Sequence, residues 1–338
     1  MTEPLSDVRQ ISILAYGFMA SKALFAALNV ELFGHVSGGA RDIEALSGLT
    51  GIPAHRMETL VAALVSSGVL VRESGGLVNA SATETYLVPG APAYFGDYYR
   101  FQIGGQTYAI MEHLDAGLIG DEEGLAHNRM SGWLSDPKRA DDFSRAQHAG
   151  SMGPAMMLSK RLDLAGAHRM LDVAGGSGAY SIVFCQQNPD LTATILDFQT
   201  VVDVARRYVD EAGMADRITL TAGDALDTVW PGGQDILLMS YLLSAVDGAD
   251  IAPLLQGAFE ALRPGGRVMV HDFMLDETRS GPSSAALFFL SYLANQPDAV
   301  SFTSGELSTM ITNAGFVRVT TETMIPEITS LVVAHKPG

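Results

Sequence analysis

Cysteine and positive charge are both scarce in this chain. Its 338 residues include one cysteine, Cys185, which excludes an intrachain disulfide framework and a zinc site built from several thiolates. Lysine and arginine number 21 against 38 aspartates and glutamates, so the net charge is −17. A charge of that sign repels nucleic-acid phosphates and anionic lipid surfaces. We therefore expect no nucleic-acid partner, no membrane partner and no metal site, and a small ligand that is neutral or cationic.

Long apolar runs and export signals are also missing. No stretch reaches the roughly 18 uninterrupted apolar residues of a membrane helix. The first residues include Glu3, Asp7 and Arg9 instead of the basic flank of a signal peptide. Together with the single cysteine, these absences predict a cytoplasmic protein. A hydrophobic content of 47% with only 17% charged residues is enough to fill sizeable cores, and the length predicts two domains.

The segment from Leu171 to Gly178 predicts a ligand-binding loop. An apolar run containing Asp172 breaks into the loop Ala174-Gly175-Gly176-Ser177-Gly178, and a helical pattern follows from Tyr180 to Gln187. Glycines let the backbone approach a ligand, and the first amides of the helix are free to bind it. The spacing lacks the third glycine of the dinucleotide fingerprint. The loop therefore predicts a nucleotide-like ligand of another kind.

Acidic residues follow the next predicted strands of this α/β pattern. The strand 193–196 ends at Asp197, nineteen residues after Gly178, near where a ribose-binding acid belongs. The strand 218–221 leads into Gly223-Asp224-Ala225, whose acid is suited to the amine of an adenine. Two more strands are predicted at 235–239 and 267–270, the second after a helix stop at 262–266.

These motifs in this order resemble the class I S-adenosylmethionine-dependent methyltransferases. Among them the chain is similar to the small-molecule O-methyltransferase family, from about Gly17 to Val333, including Arg263-Pro264-Gly265-Gly266 and Asn313-Ala314-Gly315-Phe316. The resemblance implies an α/β Rossmann-like catalytic domain, S-adenosylmethionine as cofactor and a homodimer. It implies a mostly helical winged-helix dimerisation domain over 1–105, connecting helices that line the substrate pocket over 106–150, and the catalytic domain over 151–338.

The resemblance also predicts how the cofactor binds. Its methionine end is expected over the glycine loop, its ribose on Asp197 and its adenine near Asp224. The predicted cofactor-binding residues are Asp172, Gly175, Gly176, Gly178, Asp197, Phe198, Asp224, Ala225 and Ser240.

The N-terminal region reads as mostly helical over 11–105. An apolar stripe recurs at helical spacing and is too rich in large hydrophobic side chains for a lone surface helix, at Ile11, Leu14, Phe18, Leu24, Ala27, Leu28 and Leu32. Two further helices at 42–50 and 53–66 and a hairpin at 69–78 form a winged-helix pattern. Its second helix carries Arg56 against Glu58 and little other charge, so we expect dimerisation and not DNA recognition.

The expected catalytic base is absent. In the resembled family a histidine after the fourth strand is the base, and two acids orient it. The histidine position falls on Ser244 here, and the acid positions fall on Asp272 and Ser301. A serine hydroxyl is not a general base near neutral pH, and losing a positioned base costs roughly 100- to 10,000-fold in rate, or about 3 to 5 kcal/mol.

Three explanations remain open. The acceptor ionises without help, the nucleophile is carbon or nitrogen, or another residue is the base. For that base we favour His148, followed by His113, His271 and Tyr292. The predicted catalytic residues are His148, Ser244 and Asp272.

The aromatic residues of the connecting region and of the segment 285–293 favour a flat hydrophobic acceptor, aromatic or polyketide-like. The predicted substrate-binding residues are Tyr108, His148, Ser244, Phe288 and Tyr292.

The sequence thus favours a methyltransferase that modifies an acidic hydroxyl, or a carbon or nitrogen atom, of a small molecule. The alternative is a non-methylating enzyme on the same scaffold that uses bound S-adenosylmethionine for its charge or shape. A regulatory protein built on the winged helix is disfavoured by the acidic charge and the intact cofactor motifs.

Overall fold

The computed structural model describes residues 4–121, 123–125 and 130–338. They fall into two compact units, Met1–Tyr108 and Ala109–Gly338. The elements of the first unit are α1 (Val8–Asn29), α2 (Leu32–Ser37), α3 (Ile43–Thr50), α4 (Ala54–Ser66), β1 (Leu70–Glu73), β2 (Gly76–Asn79), α5 (Ser81–Tyr86) and a π-helix (Tyr98–Thr107).

The first unit contains the predicted helices and hairpin. Helix α3 begins where the Asp42 carboxylate accepts a hydrogen bond from the amide of Ala45 at 2.8 Å, and α4 follows Pro53. Strands β1 and β2 pair antiparallel, with Arg72 opposite Leu77. Whether these elements act as a winged-helix dimerisation domain stays a prediction.

The apolar stripe of α1 divides into two parts. Ala27, Leu28 and Leu32 are buried in the core of the first unit, so the second half of the stripe packs within this unit. The physical reason is that α2, α4 and the hairpin close around the end of α1. In its first half large apolar side chains remain exposed, among them Leu14 at 73% and Phe18 at 57%.

Within the described residues, α1 is the helix whose length and hydropathy would suffice to cross a membrane. Only 17% of its apolar window is buried. Core helices of water-soluble proteins and signal sequences meet the same criterion, so the feature is weak support for a membrane segment.

The second unit alternates strands and helices. Its elements are α6 (Tyr108–Ile110, which begins at the boundary), a 3₁₀ turn (Met111–His113), α7 (Leu114–Ile119), α8 (Met130–Trp133), α9 (Pro137–Arg161), β3 (Arg169–Val173), α10 (Ala179–Gln187), β4 (Thr192–Asp197), α11 (Gln199–Glu211), β5 (Ile218–Ala222), β6 (Gln234–Ser240), a 3₁₀ turn (Leu243–Ala245), α12 (Gly248–Ala261), β7 (Leu262–Asp272), α13 (Ser283–Tyr292), α14 (Ser304–Asn313), β8 (Val317–Ile325) and β9 (Thr329–His335).

Seven strands form one sheet in the order β5-β4-β3-β6-β7-β9-β8. The first five run parallel, and β9 pairs antiparallel with both β7 and β8. The central strands β3 and β6 are almost wholly buried because helices cover both faces, which explains their continuous apolar runs. The strand order reverses at β3, whose neighbours are β4 and β6, and ligands of α/β proteins bind at such a reversal.

Strand β7 is longer than predicted. The segment 262–266 is not only a helix stop but the start of the strand, which runs from Leu262 to Asp272. The amide of Gly265 donates to the carbonyl of Lys336 at 3.1 Å, and the amide of Lys336 donates to the carbonyl of Gly266 at 2.9 Å. These long-range bonds extend the strand, and a local reading of Pro-Gly-Gly does not reveal them.

Candidate active site

A cavity of about 250 Å³ opens at the carboxyl ends of the parallel strands. Its walls are the loop after β3, the residues that follow β4, β5 and β6, and one side of α9, which contributes Phe143, Gln147 and Ser151. The topology explains this convergence, because the carboxyl ends of parallel strands meet at one edge of a sheet.

The glycine loop is shaped by close contacts on one side and open space on the other. A Cβ atom on Gly175 would lie 2.7 Å from Cγ of Asp172, and one on Gly178 would lie 2.6 Å from Cδ1 of Ile195. Gly176 and Gly178 also have left-handed backbones, at φ of 58° and 80°. A Cβ atom on Gly176 would meet nothing within 4 Å, so this residue leaves room for a ligand.

Asp197 joins the glycine loop to the next strand. Its Oδ2 atom accepts a hydrogen bond from the amide of Gly176 at 2.8 Å, and its Oδ1 atom accepts one from the amide of Phe198 at 2.7 Å. Burial raises the pKa of Asp197 to about 6, although both amide bonds oppose the shift.

Asp172 lies beneath the loop and is 1% exposed. Its Oδ2 atom accepts a hydrogen bond from the hydroxyl of Ser181 at 2.7 Å. Burial raises the pKa of Asp172 to about 7, and the nearby charge of Asp197 adds to the shift.

The ionisable residues that line the cavity, within the described part of the chain, are five aspartates and two tyrosines: Asp172, Asp197, Asp224, Asp247 and Asp250, with Tyr180 and Tyr241.

The predicted cofactor-binding residues gather at this cavity. Asp172, Gly175, Gly176, Asp197, Phe198, Asp224, Ala225 and Ser240 all line it. Gly178 does not; it caps the start of α10, where its amide donates to the carbonyl of Gly175 at 2.9 Å.

Ser244 and Asp272 lie together but outside the cavity lining. Both are fully buried, and the amide of Ser244 donates to Oδ2 of Asp272 at 3.1 Å. The amide of Phe273 donates to Oδ1 of the same carboxyl group at 2.8 Å. Burial nevertheless raises the pKa of Asp272 to about 6.

Ser301, at the position of the second orienting acid, binds residues away from Ser244 and Asp272. The hydroxyl of Ser301 accepts a hydrogen bond from Nη1 of Arg279 at 2.9 Å. The Arg279 guanidinium also donates to the Glu306 carboxylate at 2.6 and 2.7 Å. Ser301 is thus part of a surface cluster with Arg279 and Glu306.

His148 contacts the glycine loop at Ser177, outside the cavity lining. Its Nδ1 atom lies 3.0 Å from the hydroxyl of Ser177, and its ring stacks on Tyr208 with centroids 3.9 Å apart. Burial lowers the pKa of His148 to about 4, so the imidazole is neutral near pH 7. His148 is not among the residues that line the cavity, although its neighbour Gln147 is.

The remaining predicted substrate-binding residues also lie outside this cavity lining. The Phe288 ring stacks on Phe273 with centroids 4.2 Å apart. Burial raises the pKa of Tyr292, and the nearby Asp272 adds to the shift. Tyr108 belongs to the first unit, where its ring meets Phe25 edge to face at 5.9 Å. The roles assigned to these residues stay predictions.

Comparison with known proteins decides the family. The model of the O-methyltransferase domain matches residues 130–317. The chain belongs to this O-methyltransferase family.

Similar proteins extend over nearly the whole chain. A 3-hydroxy-5-methyl-1-naphthoate 3-O-methyltransferase from Streptomyces sahachiroi is 29% identical over 316 residues, which cover 91% of this chain and 89% of the relative. An L-tyrosine C(3)-methyltransferase from Streptomyces lavendulae is 27% identical and covers 92% and 87%. The crystal structure of human N-acetylserotonin methyltransferase in complex with S-adenosylmethionine has the same fold, with a TM-score of 0.88, 22% identity and 100% coverage of both chains.

The protein is therefore an S-adenosylmethionine-dependent methyltransferase of the class I fold, and it acts on a small molecule. The predicted family, fold class and cofactor are confirmed, and the non-methylating alternative is not favoured. The cavity of the methyltransferase fits the cofactor for two reasons. Gly176 leaves open space beside the loop, and the negative charges of the lining are opposite in sign to the sulfonium and ammonium groups of the cofactor.

Several residues of the methyltransferase cavity were not predicted. Tyr180, Tyr241, Gln147 and Gln296 line it alongside the expected acids. Tyr180 is in the first turn of α10, where the sequence shows only an apolar helix, and Tyr241 has a left-handed backbone with φ of 56°. The position of Tyr180 directly after the glycine loop is the one local signal that points to it.

The raised pKa of Asp172 predicts a pH-dependent effect on stability. The folded protein holds this proton up to about pH 7, whereas the unfolded chain loses it near the ordinary aspartate pKa of 3.8. The contribution of this group to stability therefore falls as the pH rises through that window. We expect Asp172→Asn to gain stability over the wild type by about 1 kcal/mol per pH unit between about pH 4 and 7, measured by urea unfolding.

Asp190→Asn, the same substitution at an exposed aspartate, is the matched control for this measurement. A constant difference between Asp172→Asn and the wild type across the window would contradict the buried, protonated state of Asp172.

Proposed function

We propose that S-adenosylmethionine binds across the cavity with its methionine end over Gly175–Gly178, its ribose on Asp197 and its adenine beside Asp224 and Ala225. The observation that carries the proposal is the bond between the amide of Gly176 and Asp197, which brings the loop and the acid to one wall of the cavity. A carboxylate at this point can accept from both ribose hydroxyls while it still holds the loop. Asp172, Phe198 and Ser240 also line the cavity, and the same proposal assigns them to the cofactor site.

The acceptor in this proposal is a small hydrophobic metabolite, aromatic or polyketide-like. The support is the similarity to an enzyme named for a hydroxynaphthoate and to one named for L-tyrosine. The first relative is named as an O-methyltransferase and the second as a C-methyltransferase, which supports the oxygen of an acidic hydroxyl or a carbon atom as the attacked atom. Nitrogen is the third alternative from the sequence. The cavity lining described above carries only acidic charge and offers no positive side chain to an anionic acceptor.

Catalysis is proposed to depend on orientation and on an acceptor that reacts without a family-type base. When bound, the cofactor supplies a methyl group that is already activated, so the chain has to align the nucleophile and exclude water. Ser244 offers no imidazole, and Asp272 is fully buried, lies outside the cavity lining and is held by the amides of Ser244 and Phe273. His148 lies outside the cavity lining, with Nδ1 3.0 Å from the hydroxyl of Ser177 and its ring stacked on Tyr208.

The test of this proposal is the turnover of His148→Ala. With S-adenosylmethionine and a panel of hydroxylated naphthoates and related aromatic acceptors, the wild type should form S-adenosylhomocysteine in step with methylated product. His148→Ala is expected to lose only a fewfold in kcat, because orientation and not a base carries the reaction. Ser244→His is expected to leave turnover unchanged or to block the site, since an imidazole is larger than the hydroxymethyl group there.

The exposed His168 provides the matched control, and His168→Ala should retain wild-type turnover. A loss of roughly 100-fold or more in His148→Ala with cofactor affinity retained would identify His148 as the base and overturn the proposal. Acceptor consumption without S-adenosylhomocysteine would overturn the assigned reaction itself.

We also propose that the protein is a cytoplasmic homodimer that pairs through the N-terminal domain of residues 1–105. The support is the first half of α1, which exposes Ile11, Leu14 and Phe18 at 55%, 73% and 57%. An apolar surface of this kind marks an interface or an aggregation hazard. Residues 106–150 connect this domain to the catalytic domain of 151–338 and contribute α9 to the substrate pocket in this proposal.

Sedimentation velocity tests the dimer. At micromolar concentration the wild type should sediment at twice its chain mass of 35.9 kDa, and the double variant Leu14→Glu/Phe18→Glu should sediment as a monomer because two charges would be buried at the interface. Leu49→Glu, at another exposed leucine of the first unit, should remain a dimer. A well-behaved wild-type monomer, or flotation with lipid vesicles instead of dimerisation, would contradict the proposal.

A further inference from the structure

A hydrogen-bonded cluster lies buried behind one wall of the cavity. Nδ1 of His271 is 2.8 Å from the hydroxyl of Tyr180 and 3.2 Å from the hydroxyl of Ser240. Nε2 of the same ring is 2.8 Å from the hydroxyl of Thr329. Tyr180 and Ser240 line the cavity, whereas His271 and Thr329 do not. The cluster thus joins two hydroxyl groups of the cavity wall to β9 through a single imidazole.

His271 is neutral, because it is fully buried and burial lowers its pKa to about 3. A neutral imidazole has one N–H donor and one acceptor nitrogen. The phenol of Tyr180 is a more acidic hydroxyl than that of Thr329 and hence the better donor. Both tautomers pair the two ring nitrogens, and the more acidic phenol favours the one in which Nδ1 accepts from Tyr180 and Nε2–H donates to Thr329.

This arrangement determines what Tyr180 presents to a ligand. With its proton directed at His271, the phenol has only oxygen lone pairs left for its other neighbours, and the hydroxyl of Ser240 is hydrogen-bonded to it. Burial raises the pKa of Tyr180, so the proton stays on the phenol. An oxygen lone pair is attractive to a cationic ligand and to polarised C–H groups, whereas a hydroxyl proton is repelled by a positive charge.

We propose that His271 is a positioning residue that makes Tyr180 a hydrogen-bond acceptor toward the cavity, so that the methyltransferase prefers the sulfonium cofactor over its neutral demethylated product. The inference rests on the proposed function, because it takes the methionine end of the cofactor to lie over the glycine loop that precedes Tyr180. The same preference favours product release after transfer. His271 acts through Tyr180 and not directly, since the imidazole itself does not line the cavity.

Calorimetry of the full-length protein with S-adenosylmethionine and with S-adenosylhomocysteine tests the preference. Tyr180→Phe should weaken binding of S-adenosylmethionine about tenfold and that of S-adenosylhomocysteine less than about twofold, because only the first carries the positive sulfur. His271→Leu should reproduce this change in the ratio. His271→Asn should restore most of the preference, since its Oδ1 atom can accept from Tyr180 in place of Nδ1. Tyr86→Phe, at an exposed tyrosine of the first unit, is the matched control and should change neither affinity.

Nitrogen-15 spectra of the histidine side chains give a readout that needs no ligand. At neutral pH the wild type should show His271 with a proton on Nε2 and an accepting Nδ1, and Tyr180→Phe should shift the Nδ1 resonance. A proton on Nδ1 would overturn the proposal. If Tyr180→Phe weakens the binding of both ligands equally, with or without a lower melting temperature, the proposal is also overturned. The cluster would then only stabilise the fold. If the wild type binds neither ligand, the proposed cofactor placement fails, and the preference fails with it.

Discussion

The site depends on one hydrogen bond, from the amide of Gly176 to the carboxylate of Asp197. The bond crosses from the loop after β3 to the end of β4, so it fixes a flexible glycine segment against a rigid strand. The loop can make this approach because Gly175 and Gly178 have no Cβ atoms to meet Asp172 and Ile195. A single acid therefore shapes the loop and forms part of the cavity wall.

Burial of acids at this edge of the sheet has a cost that the ligand can offset. Asp172, Asp197 and Asp272 all have pKa values raised by burial to about 6 or 7, which means that their charged forms lack sufficient compensation in the apoprotein. Asp172 and Asp197 line the cavity, so a cationic ligand there would stabilise both carboxylates. Asp272 lies apart, held by the amides of Ser244 and Phe273, and is a fixed part of the scaffold in this account.

Local sequence patterns predicted the parallel strands, the glycine loop and the acids that follow the strands, because strand period, glycine spacing and chain order determine them together. The features that were missed depend on residues distant in sequence. Leu28 and Leu32 are buried by helices and a hairpin that come later in the chain, and β7 begins early because Lys336 pairs with it. No local pattern shows that Arg279 binds Ser301, or that His271 reaches Tyr180 across 91 residues. The catalytic roles assigned to Ser244 and Asp272 stay predictions.

The central claim is that Asp197 holds both the glycine loop and the ribose of the cofactor. Calorimetric titration of S-adenosylmethionine into Asp197→Ala measures it directly, with Asp203→Ala at an exposed position of α11 as the control. The loss of a charged acceptor predicts about 1.5 to 3 kcal/mol weaker binding for Asp197→Ala and wild-type affinity for the control. Unchanged affinity in Asp197→Ala would contradict the account.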